Sequence, residues 1–145
     1  MKRLFVFAIL FIDSCKNKPV TCRDRVEQTV KTIIDADNRA DIKTVLSCYE
    51  EKAVLMPPGK TPIEGIHAID SNYQSIFSNA ALKLKTDVED VIVNGNDAVA
   101  YGTNTGSVLI KKDLSTKNVN SKYMMLLKKN KANEWKITRL IWNDN

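Results

Sequence analysis

His67 is the chain's only histidine. Together with Cys48, Glu64, Asp37 and Tyr123 it forms the short roster of side chains that could do acid, base or nucleophilic chemistry. A Cys48–His67 pair would be a nucleophile and its base, but the apolar spacing puts Cys48 within a helix, away from an activating helix N-terminus. No group of Cys, Asp and Glu surrounds His67 at ligand spacing, so neither a metal nor a cofactor is expected. His67 falls in the first turn of a predicted helix, at a solvent-facing position. Glu64 precedes Gly65, where a charged residue caps that helix; its alternative role is a carboxylate at a pocket mouth. Two possibilities remain. Tyr123 with a carboxylate, Glu64 or Asp37, could catalyse an isomerisation, cyclisation or hydrolysis, or Tyr and Trp side chains could simply hold a small apolar or amphipathic molecule.

The beginning of the chain carries a different kind of signal. Lys2 and Arg3 precede the apolar run LFVFAILFI, and Asp13-Ser14-Cys15 follows. This order reads as a signal peptide over residues 1–14. Nine apolar residues span roughly 14 Å as a helix, about half the bilayer core, which excludes a lasting membrane span. The end of the run resembles a bacterial lipoprotein box with Cys15 as the lipidated residue. The expectation is an exported protein anchored by lipid at the cell envelope, with a periplasmic or secreted form as the alternative. Residues 15–22, with Pro19, form a polar tether.

Losing the leader lowers the formal charge of +5 by one. The remaining lysines, such as Lys111, Lys112, Lys128, Lys129, Lys131 and Lys136, sit at predicted hairpin ends without interleaved aromatics, and nucleic acid is excluded as a partner. Cys22 and Cys48 would lie too far apart along an antiparallel helical pair to bridge, and both are expected free.

With 145 residues, 43% hydrophobic and 27% charged, residues 23–145 fit one globular domain. Val26, Val30, Ile33 and Ile34 recur at helical spacing, which predicts helix one over 23–37. Asp41 caps a second helix whose buried face is Ile42, Val45, Leu46 and Tyr49. A strand over 53–56 runs into Pro57-Pro58-Gly59, which stops ladder pairing and turns the chain. Helix three carries the stripe Ile66, Ile69, Tyr73, Ile76 and Phe77. Alternation then predicts strands from Leu82 to Val93, 98–110, 122–128 and 135–142, with a turn at Asn94-Gly95 and a polar loop over 111–121. Along the last strand, period two puts Thr138, Leu140 and Trp142 on one face and Ile137, Arg139 and Ile141 on the other. The fold class is therefore α+β: three N-terminal helices packed on a strongly curved, mainly antiparallel sheet that forms a cone with a pocket.

The segments ADIKTVLSCYEEKAVLMPPG, PIEGIHAI, NGNDAVAYG, KYMMLLKK and EWKITRLIWNDN, in this order, resemble the SnoaL-like or ketosteroid-isomerase-like branch of the nuclear transport factor 2 superfamily. The resemblance implies the cone fold, a homodimer formed through the sheet, and roles from isomerases and cyclases to small binding domains. In the ketosteroid isomerases a proton-shuttling aspartate ends the first strand, and that place falls at Pro57, which has no ionisable group. The family's oxyanion donors, a tyrosine on helix one and a protonated aspartic acid on the sheet, fall near Ile33 and Tyr123. The resemblance also turns the Trp142 face toward the hollow. It implies a pocket lined by Leu55, Pro57, Tyr73, Phe77, Tyr123, Met125, Leu140 and Trp142, several of which could equally fill the core. The expected function is small-molecule binding; the alternatives are an enzyme using Tyr123 with a pocket carboxylate, or a dimeric interaction domain without a ligand.

Overall fold

The computed structural model of the chain describes residues 19–144, so the leader and Cys15 lie outside the described residues. Helix α1 runs Cys22–Arg39, one residue earlier than the periodicity predicts. The cause is a capping box: Thr21 Oγ1 accepts the Asp24 N–H and Asp24 Oδ2 accepts the Thr21 N–H. Ala40, at φ 53°, ends the helix in the left-handed conformation. Asp41 then caps α2, Ile42–Ser47, through the Thr44 N–H. Tyr49, predicted on this helix, instead opens strand β1, Tyr49–Met56. Long-range pairing overrides local spacing there: Tyr49 lies beside Ile137, whose N–H donates to Cys48 O.

A two-residue strand β2, Ile63–Glu64, returns antiparallel along β1, and α3 follows over Ile66–Asn79. Glu64 does not cap α3. Gly65 occupies the N-cap without a side-chain bond, and Glu64 is exposed, as is His67. Strands β3 (Ala80–Asn94), β4 (Asp97–Ile110), β5 (Thr116–Lys129) and β6 (Trp135–Asp144) complete a six-stranded sheet of order β2-β1-β6-β5-β4-β3. Pairing is antiparallel except between β1 and β6. Strand β5 starts well inside the predicted polar loop, because Thr116–Ser121 pair with Asn104–Leu109 despite their polarity.

Two bulges shape the sheet. Between β3 and β4 the register shifts at Val88/Asp90. Between β6 and β5 it shifts so that Arg139 pairs with Leu126 and Ile137 with Leu127, leaving Thr138 extra, its hydroxyl donating to Leu126 O. The second bulge corrects the predicted faces of β6: Ile137 is fully buried together with Leu140, whereas Arg139 and Ile141 remain on the outer face.

The core lies between the helices and the concave face of the sheet. Val26, Val30 and Ile33 of α1, Val45 of α2 and Ile69 of α3 meet Leu55, Met125, Leu127 and Ile137. Each such side chain contributes about 1.5–3 kcal/mol by leaving water. Edge strand β3 is tied to α1 at both ends. Arg23 binds Asp90 Oδ1 at 2.8 Å and Val91 O at 3.0 Å, while Asn38 exchanges two bonds with the Leu84 N–H and C=O at 2.7 and 2.8 Å. These ties fix where the last turn of α1 stands above the sheet. Cys22 and Cys48 are free thiols, the first exposed and the second buried. Among the described residues, no helix is long and apolar enough to cross a membrane.

Candidate functional site

The inner face of β4 presents Ala98, Ala100, Gly102 and Asn104 in alternation, and its small side chains leave room for those of the neighbouring strands. In register, Ala98 lies beside Leu127, Ala100 beside Met125, Gly102 beside Tyr123 and Asn104 beside Ser121. Strand β6 adds Leu140 opposite Met125 and Trp142 opposite Tyr123. The concave face is therefore built in rows, from an apolar Met125–Leu140–Leu55 row through Tyr123–Trp142 to the polar row Thr86–Asn104–Ser121.

Gly102 is required in that arrangement. A Cβ on it would fall 2.0 Å from Asp87 O and 2.9 Å from the Tyr123 hydroxyl. The close approach of β3 at its bulge, together with the missing side chain, lets the Tyr123 ring lie across β4. Its hydroxyl accepts a bond from Thr86 Oγ1 at 3.2 Å, which leaves its own proton for another acceptor. Burial raises the Tyr123 pKa, partly offset by the Thr86 bond.

Above these rows lies a cavity of about 660 Å³. Its wall includes Ile33, Ile34 and Asp37 from α1, Tyr73 and Ile76 from α3, and Leu55, Leu82, Leu84, Met125, Leu140, Tyr123 and Trp142 from the sheet. The polar stretch Lys117–Ser121, together with Asp144, lines it as well.

Six of the eight residues expected at the pocket line the cavity: Leu55, Tyr73, Tyr123, Met125, Leu140 and Trp142. Two do not. Pro57 ends β1 in a turn whose Pro57 C=O accepts the Lys60 N–H, and Phe77, one turn beyond Tyr73, packs against that ring at 5.6 Å within the core. Glu64 also stays outside the cavity wall.

Of the two carboxylates in the cavity wall, Asp144 is exposed and Asp37 is buried. It occupies the next place on the buried stripe of α1, four residues after Ile33, and is 9% exposed. Its Oδ1 has no hydrogen-bond partner. Burial alone pushes its pKa up to about 8, so at neutral pH the carboxyl is mostly protonated and can donate a hydrogen bond. Nearby, the Tyr49 and Tyr73 hydroxyls bond each other at 3.0 Å in full burial, and burial raises both of their pKa values. Across the cavity Asn104 Oδ1 is likewise buried and unpartnered. Asp37 was among the carboxylates the sequence offered, whereas Asn104 was not. Asp37 interrupts an otherwise apolar helical stripe, and Asn104 continues the inward alternation Ala98–Ala100–Gly102. Among the described residues, no three His, Cys, Asp or Glu side chains gather to hold a metal ion.

A family model for the SnoaL-like domain matches residues 30–135, most of the chain. The chain belongs to the SnoaL-like family. Among solved structures, this SnoaL-like domain is similar to a ketosteroid isomerase-like protein from Erwinia carotovora atroseptica, with TM-score 0.79 and 22% identity over 83% of this chain and 93% of that one. It is also similar to an NTF-2 like protein of unknown function from Shewanella oneidensis, with TM-score 0.68 and 21% identity over 83% and 98% of the two chains. A third similar structure is a candidate dehydratase of the NTF2-like family from Streptomyces avermitilis, with TM-score 0.72 and 15% identity over 84% and 95%. At these identities the likeness establishes a shared fold. No curated protein matches the SnoaL-like chain in sequence.

Proposed function

We propose that this SnoaL-like domain is exported, anchored by lipid at Cys15, and holds a small, mostly apolar or amphipathic molecule in its cavity. The cavity itself carries this reading: about 660 Å³ falls within the range of small-molecule sites, and its aliphatic wall is interrupted by Tyr73, Tyr123 and Trp142. A domain acting only through its surface would have no use for that volume. Native mass spectrometry of gently purified protein, with a fluorescence titration using naphthalene, tests it. A retained small molecule or saturable binding is expected; a protein that retains nothing and binds no apolar probe overturns it. Anchoring is supported by the charged start, the short apolar run and Cys15, since two or more acyl chains give lasting attachment. The intact mass of membrane-extracted protein should begin at Cys15 with lipid added. Retained Met1, or a Cys15→Ser protein that stays on the membrane, overturns that part.

A second reading has a specific observation behind it. Asp37 and Tyr123 line one cavity, and a carboxyl that titrates near neutral pH suits general acid or base catalysis in an isomerase, cyclase or hydrolase. Ketosteroid-isomerase turnover itself is not expected, because Pro57 stands where the shuttling carboxylate would be. Turnover of any candidate substrate that disappears in both Asp37→Asn and Tyr123→Phe would establish this second reading over simple binding.

A further inference from the structure

A second, smaller cleft of about 270 Å³ lies along another flank of helix α1 and shares no lining residue with the large cavity. One wall is α1 itself, where Arg25, Thr29 and Thr32 recur at helical spacing. The other is the end of α2 with the turn from β5 into β6, and it is held in place by its own bonds. Lys136 Nζ donates to Ser47 O at 2.7 Å, the Ile137 N–H donates to Cys48 O, and Asn130 Oδ1 accepts the Ala132 and Glu134 N–H groups across the turn. Trp135 stands in this wall. It is 4% exposed, yet its indole N–H has no partner. An indole N–H can only donate, and a buried donor left unpaired is costly, so the cleft is short of an acceptor.

The charges around the cleft say which acceptor suits it. Arg25 brings an exposed guanidinium with no ion-pair partner among the described residues. Thr32 Oγ1 accepts from Gln28 Nε2 at 3.3 Å and keeps its own proton to donate. Lys129 Nζ lies over the Trp135 ring, 5.0 Å from its centroid, and adds positive potential there. The lining holds one carboxylate, Glu134, which Lys136 pairs at 3.0 Å. We propose that this cleft binds a small carboxylate, with one oxygen accepting the Trp135 indole N–H and the negative charge facing Arg25. A carboxylate is accept-only and charged, so it satisfies the indole and the guanidinium together. A neutral amide would satisfy the first alone, and a cation would be repelled by both Arg25 and Lys129. A phosphate's second charge would meet no second unpaired cation in the wall. The volume lies just below that of drug-sized sites, which limits the occupant to about the size of benzoate. Buried Cys48 supplies an apolar side for its hydrocarbon part.

Proton–nitrogen correlation NMR of the labelled protein tests this near pH 7, since each of the chain's two tryptophans gives its own indole signal, assigned with Trp142→Phe. Sodium benzoate should move the Trp135 signal saturably, with benzamide at least about fivefold weaker. Arg25→Gln, at an exposed position that leaves the fold intact, should weaken benzoate by about fivefold to tenfold. A Trp135 signal that benzoate leaves still, or that sodium chloride moves equally, means that water or an adventitious ion only meets the indole, and overturns the inference. Benzamide binding as tightly as benzoate, or benzoate binding unchanged in Arg25→Gln, overturns it as well. A shift of the Trp142 signal alone would put benzoate in the large cavity, which overturns the second site and supports the cavity reading.

Discussion

Asp37 shows how one side chain can be set against the rest of its helix. Every other inward member of its stripe lowers the free energy of folding by burial, whereas this carboxyl is taken out of water without a bond to its Oδ1. With its pKa pushed up to about 8, the folded protein keeps a proton that the unfolded chain releases near pH 4. Stability therefore falls as pH rises between those values, by about 1.4 kcal/mol per unit where the two states differ by a full proton. The groups electrostatically coupled to it, Tyr49 on β1, Tyr73 on α3 and Cys48 at the end of α2, have their own pKa values raised by burial and stay neutral across this window. Asp37→Asn should melt at a higher temperature than wild type at pH 8, with the difference shrinking toward pH 4.5; parallel melting curves across that range would contradict the assignment. Tyr123 provides the complementary case. Because its hydroxyl accepts from Thr86, Tyr123→Phe removes one bond and leaves the ring in place. Calorimetry should show a cavity ligand that meets this hydroxyl weakened by about 0.5–1.5 kcal/mol, with the melting temperature nearly unchanged.

At the scale of elements, the site depends on where two strands bend. Gly102 lets β3 and the Tyr123 hydroxyl approach β4 together, and a methyl group there meets backbone that has no easy way to yield. Gly102→Ala should cost about 1–3 kcal/mol in denaturant unfolding and displace Tyr123, visible as a changed Tyr123 ring environment by NMR. A fully stable variant with an unmoved ring would show that the bulge at Val88/Asp90 can shift at no cost. The elements also show what the sequence made legible. Helices α1 and α3 and the hairpin at Asn94-Gly95 could be read because apolar period and turn chemistry agree locally. The start of β1 and the polar half of β5 could not, since their pairing depends on partners distant in the chain. Six cavity residues were read by way of family resemblance and alternation, but Ile137 was put on the wrong face because the extra residue Thr138 leaves no compositional trace. Asn104 was missed for a related reason: an asparagine in a Thr/Asn-rich strand looks solvated until its neighbours Gly102 and Ser121 are seen to face inward.

For the whole molecule, the remaining question is what meets the outer face of the sheet. Correcting β6 for its bulge removes Ile137 from that face and leaves Ile141 beside Met124, with Tyr101 next along the row. Leu126 lies between Arg139 and Val99, and Ile92 extends that second row onto β3. Met124 is 47% exposed, Leu126 41%, Ile141 39% and Ile92 57%, so four adjacent strands carry a contiguous apolar patch with Arg139 beside it. Scattered apolar side chains are ordinary on a surface, but a connected patch on a sheet is a surface that gains by being covered. We propose that a second copy of the chain covers it as a two-fold dimer, in which the same residues meet across the axis. Such an arrangement would also leave both cavities, on the concave faces, open to ligand. Sedimentation at micromolar protein should give a dimer, and Leu126→Lys together with Met124→Lys should give a folded monomer by placing four like charges near the axis. The double variant should retain naphthalene binding, because neither side chain faces the cavity. A wild-type monomer at all concentrations, or a dimer that the two lysines leave unchanged, would assign the association, if any, to another surface.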